Sequence, residues 1–404
     1  MSQNPEEIAR AAYDQAFGGP PTVLGRAPGR VELLGNHTDY HGGLVLAAAI
    51  DRSTVVVGRR VSGGEAKVRS ANFDEVDHFA VAEVEPIEGG PESWGKYVRG
   101  VTWALREAYG PIPSGFEAAL AGDVPIGAGL SSSASLQAAF ALFLAGLGLS
   151  GAPGGANPGE ADRLNLAKTL RRSENDFVGV ASGLLDQFSA LFGRAGHAFM
   201  LDCRTLDYTI LPLGDPAPAI IVCDSKTSRR LAEGMYNLRR AEGERIVTHF
   251  RDRKGPALVG SLRDVPIEDL LESWDDLDPV GRLRARHVLA ENERVERGAE
   301  ALRSGDLAAF GSLMSASHAS SRDDFENSSP ALDALIESAE ASPGFLGGKL
   351  SGAGWAGCTV NLVRADQAEA FAESVRARYA RSTGLTADIH VCRAADGASS
   401  LALG

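Results

Sequence analysis

Cysteine is scarce and dispersed. The four present, Cys203, Cys223, Cys358 and Cys392, form no CxxC pair, which argues against a disulfide framework or a zinc cluster and for buried thiols in a reducing cytosol. A basic surplus is missing as well. With a formal net charge of −13 and acidic residues scattered along the chain, neither a nucleic acid nor an anionic membrane surface is the expected partner. Any phosphate site must then be local, built from backbone amides and a few cations. No run of about 18 uninterrupted apolar residues occurs, so no transmembrane helix is expected. The first twenty residues carry Glu6, Glu7 and Asp14 and lack the basic start and apolar run of a signal peptide. A cytoplasmic protein is the expectation. Repeats are absent, and low complexity is confined to the Gly and Pro rich loop from Ser150 to Gly159.

What is there suits a folded protein of more than one lobe. A chain of 404 residues, 44% hydrophobic and 23% charged, can bury a large core and offers a cleft between lobes. Helical periodicity is predicted over Pro5 to Phe17, Trp94 to Tyr109, Ser133 to Leu149, Glu160 to Phe177 and Gly183 to Leu191. Strands are predicted at Val31 to Leu34, Leu44 to Ile50, Thr54 to Arg59, Gly115 to Ala121 and Ala219 to Asp224. Amphipathic helices dominate Leu231 to Glu337, after which Gly347 to Val363, a helix to Tyr379 and a strand at Ala387 to Cys392 restore an α+β pattern.

Four segments carry candidate chemistry. Pro125 to Ala134 is a Gly-rich turn opening directly into a helix. Its glycines let several N–H groups and the helix N-terminus converge on a phosphate, although a plain capped helix start would read the same. It has neither the Gly-Lys-Ser/Thr of a Walker loop nor a dinucleotide fingerprint. Gly29 to Tyr40 ends a strand in a turn bearing Asn36, His37, Thr38, Asp39 and Tyr40, a set of donors and acceptors suited to a polyhydroxylated ligand or to an ordinary Asp-capped turn with a buried Arg30. Asp186 lies in the otherwise apolar run Gly183 to Phe188, twelve residues after Glu174. That is roughly three helical turns, so both carboxylates can face one cleft. Gly347 to Cys358 is a second Gly-rich loop, either a close backbone approach to a ligand or a tight hairpin.

Content and order together resemble the GHMP kinase superfamily, and within it the galactokinases. Gly29 to Tyr40 is similar to the galactokinase signature, Gly127 to Ser133 to the ATP loop, and Gly352 to Gly357 to the third motif. Further matches are Trp94 with Tyr97, Gly183 to Phe188, Tyr236 in Met-Tyr-Asn-Leu-Arg-Arg, Ser317-His318, and Arg322 to Glu326. The resemblance implies two α+β lobes, a ribosomal-protein-S5-like N-terminal lobe at 1–215 and a ferredoxin-like C-terminal lobe at 216–404, with ATP and a sugar meeting between them. It implies that Asp186 takes or orients the proton of the anomeric hydroxyl and that Arg30 stabilises the carboxylate and the charge developing on the phosphoryl group.

Ser133 and Glu174 match positions that hold Mg2+. Gly127, Ala128, Gly129, Leu130, Ser131, Ser132 and Ser133 match the triphosphate cradle, and Ser70, Trp94 and Tyr97 the adenine pocket. Asn36, His37, Thr38, Asp39, Gly183 and Tyr236 match the sugar site. The implied partners are the small-molecule sugar and ATP, with a monomer expected. One departure touches the substrate. Galactokinases have Glu where Asn36 stands and Asn where Glu32 stands, so an amide replaces the carboxylate expected to accept from the sugar hydroxymethyl. Restoring Glu at position 36 is expected to lower the Michaelis constant for galactose. Asp39 keeps galactose first, with a galactosamine derivative, arabinose or a deoxy sugar as nearest alternatives. A non-catalytic sugar sensor is disfavoured by the presence of Arg30, Ser133, Ala134, Glu174 and Asp186. Mevalonate and homoserine kinases lack the His37 to Tyr40 run.

Overall fold

The computed structural model describes residues 4–86, 93–152, 154–180, 182–227 and 235–404, with the side chain of Tyr236 outside that set. In chain order the first half contains α1 (Pro5–Phe17), β1 (Val23–Leu34), β2 (Leu44–Val61), β3 (Glu65–Ser70), β4 (Glu75–Ala80), α2 (Trp94–Tyr109), β5 (Gly115–Gly122), α3 (Ser132–Gly146), α4 (Glu160–Arg172), α5 (Leu185–Phe192), β6 (His197–Asp202) and β7 (Tyr208–Pro212). The second half contains β8 (Ala219–Asp224), α6 (Met235–Lys254), α7 (Ile267–Glu272), α8 (Pro279–Ser304), α9 (Leu307–Ser320), α10 (Pro330–Glu340), β9 (Phe345–Leu350), β10 (Cys358–Val363), α11 (Ala368–Thr383), β11 (Asp388–Cys392) and β12 (Ser399–Ala402).

Local chemistry sets several of these boundaries. Helix α1 starts with Pro5 in its first turn behind Asn4, whose side chain accepts from the Glu6 amide at 3.0 Å. Helix α3 is apolar on nearly every face because it is buried on every face: Ala134 to Ala145 are all buried, packed against β1, β2, α2 and α5, with Ser135 and Gln137 the polar exceptions. The expected break at Asp51 to Ser53 does not occur. β2 runs unbroken from Leu44 to Val61; β6 pairs with its first part and β5 with its second, and between them Ser53 lies opposite Pro28 of β1 while the Asp51 amide donates to the Arg393 carbonyl at 3.0 Å and the Ser53 amide to Asp123 Oδ1 at 2.8 Å.

Two sheets result. One runs β12-β1-β2-β5-β3-β4 with β6 and β7 branching from β2; the other runs β11-β8-β10-β9, antiparallel throughout. The order of the second sheet, with helices between β8 and β9 and between β10 and β11, is that of a ferredoxin-like lobe. The chain passes from the first sheet to the second between β7 and β8, where the cut at 215 was expected. That single cut does not describe residues 399–402, which return as β12 to pair with β1. Nor does it divide the core, since one buried cluster joins Val31, Leu33 and Leu34 of β1 to Val222, Val360, Phe310 and Met314 of the second half. The two lobes therefore share an apolar floor, which fixes β1 under the cleft. Among the described residues no helix is long and apolar enough to cross a membrane.

Candidate active site

A cleft of about 1180 Å³ opens above that floor, lined from both lobes by residues of β1, the turn after it, the loop before α3, the approach to α5, and Gly352 and Ala353. At one end stands the loop 127–131. Gly127 and Gly129 have φ of +76° and +78°, and Ser131 is left-handed at +59°, a curl that aims the start of α3 into the cleft. Helix α3 has no side-chain cap bond and no acidic residue in its first turn, and the Ser131 hydroxyl is buried without a partner. Unsatisfied N–H groups at the positive end of a buried helix make an anion site.

At the centre Arg30 of β1 meets Asp186 in the first turn of α5. The Arg30 Nε and Nη2 lie 2.9 and 2.6 Å from Asp186 Oδ1, and Nη1 donates to the Gly129 carbonyl at 2.5 Å. The guanidinium thus ties the carboxylate to the phosphate-type loop. Its side chain is 8% exposed and that of Asp186 27%, so the carboxylate remains accessible to a ligand. Glu174 projects from a π-helical turn, Ser173–Val178, that ends α4. It accepts from Ser133 Oγ at 3.3 Å, Ser182 Oγ at 2.8 Å and Gln187 Nε2 at 2.5 Å. Burial, and then the charge of Asp186, raise its pKa. All three partners are neutral donors, so among the described residues no cation pairs with Glu174.

The far end is the turn after β1. His37 has φ +62°, its Nδ1 is 2.8 Å from the Tyr40 hydroxyl and its Nε2 3.0 Å from the Ala353 carbonyl, and its ring packs against Phe325. Burial pushes its pKa down to about 3, so the ring is neutral. Asp39 lies against Gly183, and burial followed by the charges of Glu32 and Asp186 lifts its carboxyl to about 6. The turn is pinned from below by Glu291 of α8, whose Oε1 accepts from the amides of Gly35 at 2.9 Å and Asn36 at 3.2 Å.

Comparison with known proteins gives the architecture a family. Residues 11–60 match the galactokinase galactose-binding signature, 96–194 the GHMP kinase N-terminal domain and 299–381 the GHMP kinase C-terminal domain. A galactokinase of Roseiflexus is 43% identical over 96% of this chain and 95% of its own, and the human galactokinase 38% identical over 98% and 96%. The chain belongs to the galactokinase family. The crystal structure of Lactococcus lactis galactokinase complexed with galactose superposes with a TM-score of 0.88 at 35% identity, covering 97% of this chain and 98% of that one. A mevalonate kinase at 16% identity and a TM-score of 0.63 shares the fold. The family is one of ATP-dependent phosphotransferases with an alcohol acceptor.

Within this galactokinase fold most of the expected residues meet in the cleft: Arg30, Asn36, His37, Asp39, Trp94, Tyr97, Gly127, Gly129 to Ser133, Glu174, Gly183 and Asp186 line it. Three do not. Thr38 is fully buried, with its hydroxyl 2.8 and 2.6 Å from the carbonyls of Gly35 and Leu44, so it holds the turn and does not face the sugar end. Ser70 is fully buried at the end of β3, and it is Asn72 and Phe73 just after it that line the cleft. Ala128 points into the shared core. Tyr236 falls in the first turn of α6, and its side chain lies outside the described residues, as do residues 231–234 of the helical stretch expected from Leu231. The sequence marks Glu32 as a departure from the galactokinase pattern but gives it no site role, although it lines the cleft, and it gives no notice of Glu291, whose only signal is a carboxylate on the buried face of α8.

Proposed function

We propose that the chain is an ATP-dependent sugar 1-kinase that converts galactose to galactose 1-phosphate and ADP, acting in the cytosol. The observation that carries the reading is the Arg30–Asp186 pair, in which one guanidinium joins the carboxylate at the start of α5 to the anion-binding loop. In this reading the sugar's anomeric hydroxyl sits against the Asp186 carboxylate and gives up its proton there as its oxygen bonds to the γ-phosphorus and the bond from that phosphorus to the β,γ-bridging oxygen breaks, the electron pair leaving with ADP. Arg30 stabilises both the carboxylate and the charge gathering on the transferred group, and positioning supplies most of the acceleration. The amides and hydroxyls from Gly127 to Ser133 hold the phosphates, and Trp94 and Tyr97 flank the base. His37, Asp39 and Gly183 shape the sugar end, where a neutral imidazole and a carboxylate suit an uncharged polyol.

Ser133 Oγ and Glu174 fit Mg2+: two hard oxygen donors 3.3 Å apart, one a buried carboxylate that no cation among the described residues pairs with, leave further positions for phosphate and water oxygens. When bound the ion would supply charge neutralisation at the phosphates. The Asn36 and Glu32 exchange favours testing a second reading, a related sugar such as a galactosamine derivative, arabinose or a deoxy sugar. The deciding experiment is ADP release with ATP, Mg2+ and a panel of sugars, run beside Asp186→Asn. Fastest turnover on galactose, lost in the variant, is expected. Preference for another sugar replaces galactose, and no sugar-dependent release defeats the kinase reading.

A further inference from the structure

Asn36 occupies the place where an amide replaces the expected carboxylate, yet its hydrogen-bonding capacity is already spent inside the protein. Its Nδ2 donates to Glu32 Oε1 at 3.1 Å and to the Gly352 carbonyl at 2.8 Å, while its Oδ1 accepts from Asn327 Nδ2 at 2.9 Å and lies 3.4 Å from Ser321 Oγ. Both partners of Nδ2 are acceptors only, which fixes the orientation of the amide. Its backbone is held equally firmly, N–H to Glu291 and the carbonyl to His287 Nε2 at 3.0 Å. The residue is 1% exposed. An amide with both N–H bonds and its oxygen committed, in a residue five of whose six partners come from the second half of the chain, clasps the two lobes and has nothing left for a sugar hydroxyl.

Glu32, four residues earlier on β1, has the opposite distribution. Both recorded bonds fall on Oε1, from Asn36 Nδ2 and from Lys349 Nζ at 2.9 Å. Oε2 takes no recorded bond and is not among the sealed, partnerless polar atoms, and the residue lines the cleft. Lys349 is completely inaccessible, so it cannot reach a ligand. With Asn36 it holds Oε1 and fixes the plane of the carboxylate. The charge of Glu32 is also the second cause of the raised Asp39 carboxyl, which puts the two carboxylates on the same space.

We propose that Glu32, through Oε2, is the residue that reads one of the non-reacting hydroxyls of the sugar, and that Asn36 is a positioning residue that never touches it. This rests on the sugar-kinase reading above. A carboxylate oxygen with its partner oxygen already neutralised accepts strongly from a hydroxyl and repels an anionic substituent, so the subsite selects a neutral or amino-bearing hexose over a uronate. It also reverses the expectation for Glu at position 36. That side chain would face Glu32 and the Gly352 carbonyl with no hydrogen to give, and would displace the sugar turn.

The test is sugar-dependent ADP release by wild type, Glu32→Gln, Glu32→Asp, Asn36→Glu and the double exchange Glu32→Asn with Asn36→Glu, on galactose and on analogues each lacking one hydroxyl. Glu32→Asp withdraws the carboxylate while keeping a charge for Lys349, should Glu32→Gln fail to fold. Wild type is expected to penalise one deoxy analogue by about tenfold or more in kcat/KM, the value of one charge-assisted hydrogen bond. Both Glu32 variants should shrink that penalty several-fold and leave the KM for ATP unchanged. Asn36→Glu alone should raise the galactose KM, and the double exchange should recover part of the loss. An unchanged deoxy-sugar profile in the Glu32 variants, or a lower galactose KM in Asn36→Glu, overturns the proposal. Failure of the underlying reading is distinguishable, because wild type itself would then release no ADP with any sugar.

Discussion

Gly183→Ala separates the geometry of the sugar end from the stability of the fold. A Cβ on Gly183 would stand 2.2 Å from Asp39 Oδ2 and 3.2 Å from its Cγ, with no backbone atom as close. Gly183 is not among the residues in the left-handed region, so alanine fits its backbone. The strain is relieved by moving the end of one side chain by about 1 Å, enough to stretch a hydrogen bond of normal length past its useful range. Losing one bond from a hydroxyl to a charged acceptor costs about 1.5–3 kcal/mol, which is roughly 10- to 150-fold in the KM for the sugar. The melting temperature and the KM for ATP should stay near wild type. Steady-state kinetics with both substrates varied, beside a thermal melt, read all three. In an Asp39→Ala background the same substitution should be nearly silent, because its cause has been removed. A sugar KM within about twofold of wild type together with a clearly lower melting temperature would refute the reasoning.

Other perturbations test other parts of the site. Arg30→Lys keeps a positive charge but cannot hold Asp186 and the Gly129 carbonyl at once, so kcat should fall by about 10²–10³-fold with the KM for sugar changed far less. Since the Asp39 carboxyl titrates near pH 6, kcat/KM for the sugar should drop as pH falls through that value, and Asp39→Asn should flatten this limb of a pH profile. Burial alone would raise the Glu291 carboxyl, but Arg294, His287, Lys349 and Ser317 pull it down to about 2. A folded pKa below the unfolded value contributes stability above about pH 4.3 that is lost as pH falls toward 2, about 3 kcal/mol here. Glu291→Gln should remove this contribution at pH 7 and make urea stability less dependent on pH in the acid range.

The parts legible in the sequence are those whose chemistry is local. The glycines and serines of 127–133 specify a loop feeding a helix, and the structure adds only the direction in which α3 points. The strand at Ala219–Asp224 and the helix at Trp94–Tyr109 follow from short-range period and their flanking turns. The short strands β3, β4, β6 and β7 escaped notice because each is stabilised by a neighbour remote in sequence or by a polar hairpin. The return of 399–402 to β1 has no local signal at all.

The carboxylates lie on two separate elements, in keeping with the two helices expected at Glu160 to Phe177 and Gly183 to Leu191. Helix α4 ends in the π-helical turn 173–178, the chain leaves helical form after it, and α5 begins only at Leu185. Both line the cleft, Glu174 from the π-helical turn and Asp186 from the first turn of α5. Ser133 and Gln187 hold the Glu174 carboxylate from two other helices. A second π-helical turn, Ser321–Phe325, carries Ser321, which together with Asn327 bonds the Asn36 side chain. Periodicity, which assumes one constant turn angle, marks both stretches as helical without showing that the angle changes there. Asn36 shows the same limit in sequence distance, for its side-chain partners include Gly352 and Asn327, with separations of 316 and 291 residues. A residue type in a motif therefore states what a side chain can do. Only its long-range partners decide whether that capacity is still open to a ligand, and here they leave it open at Glu32 and closed at Asn36.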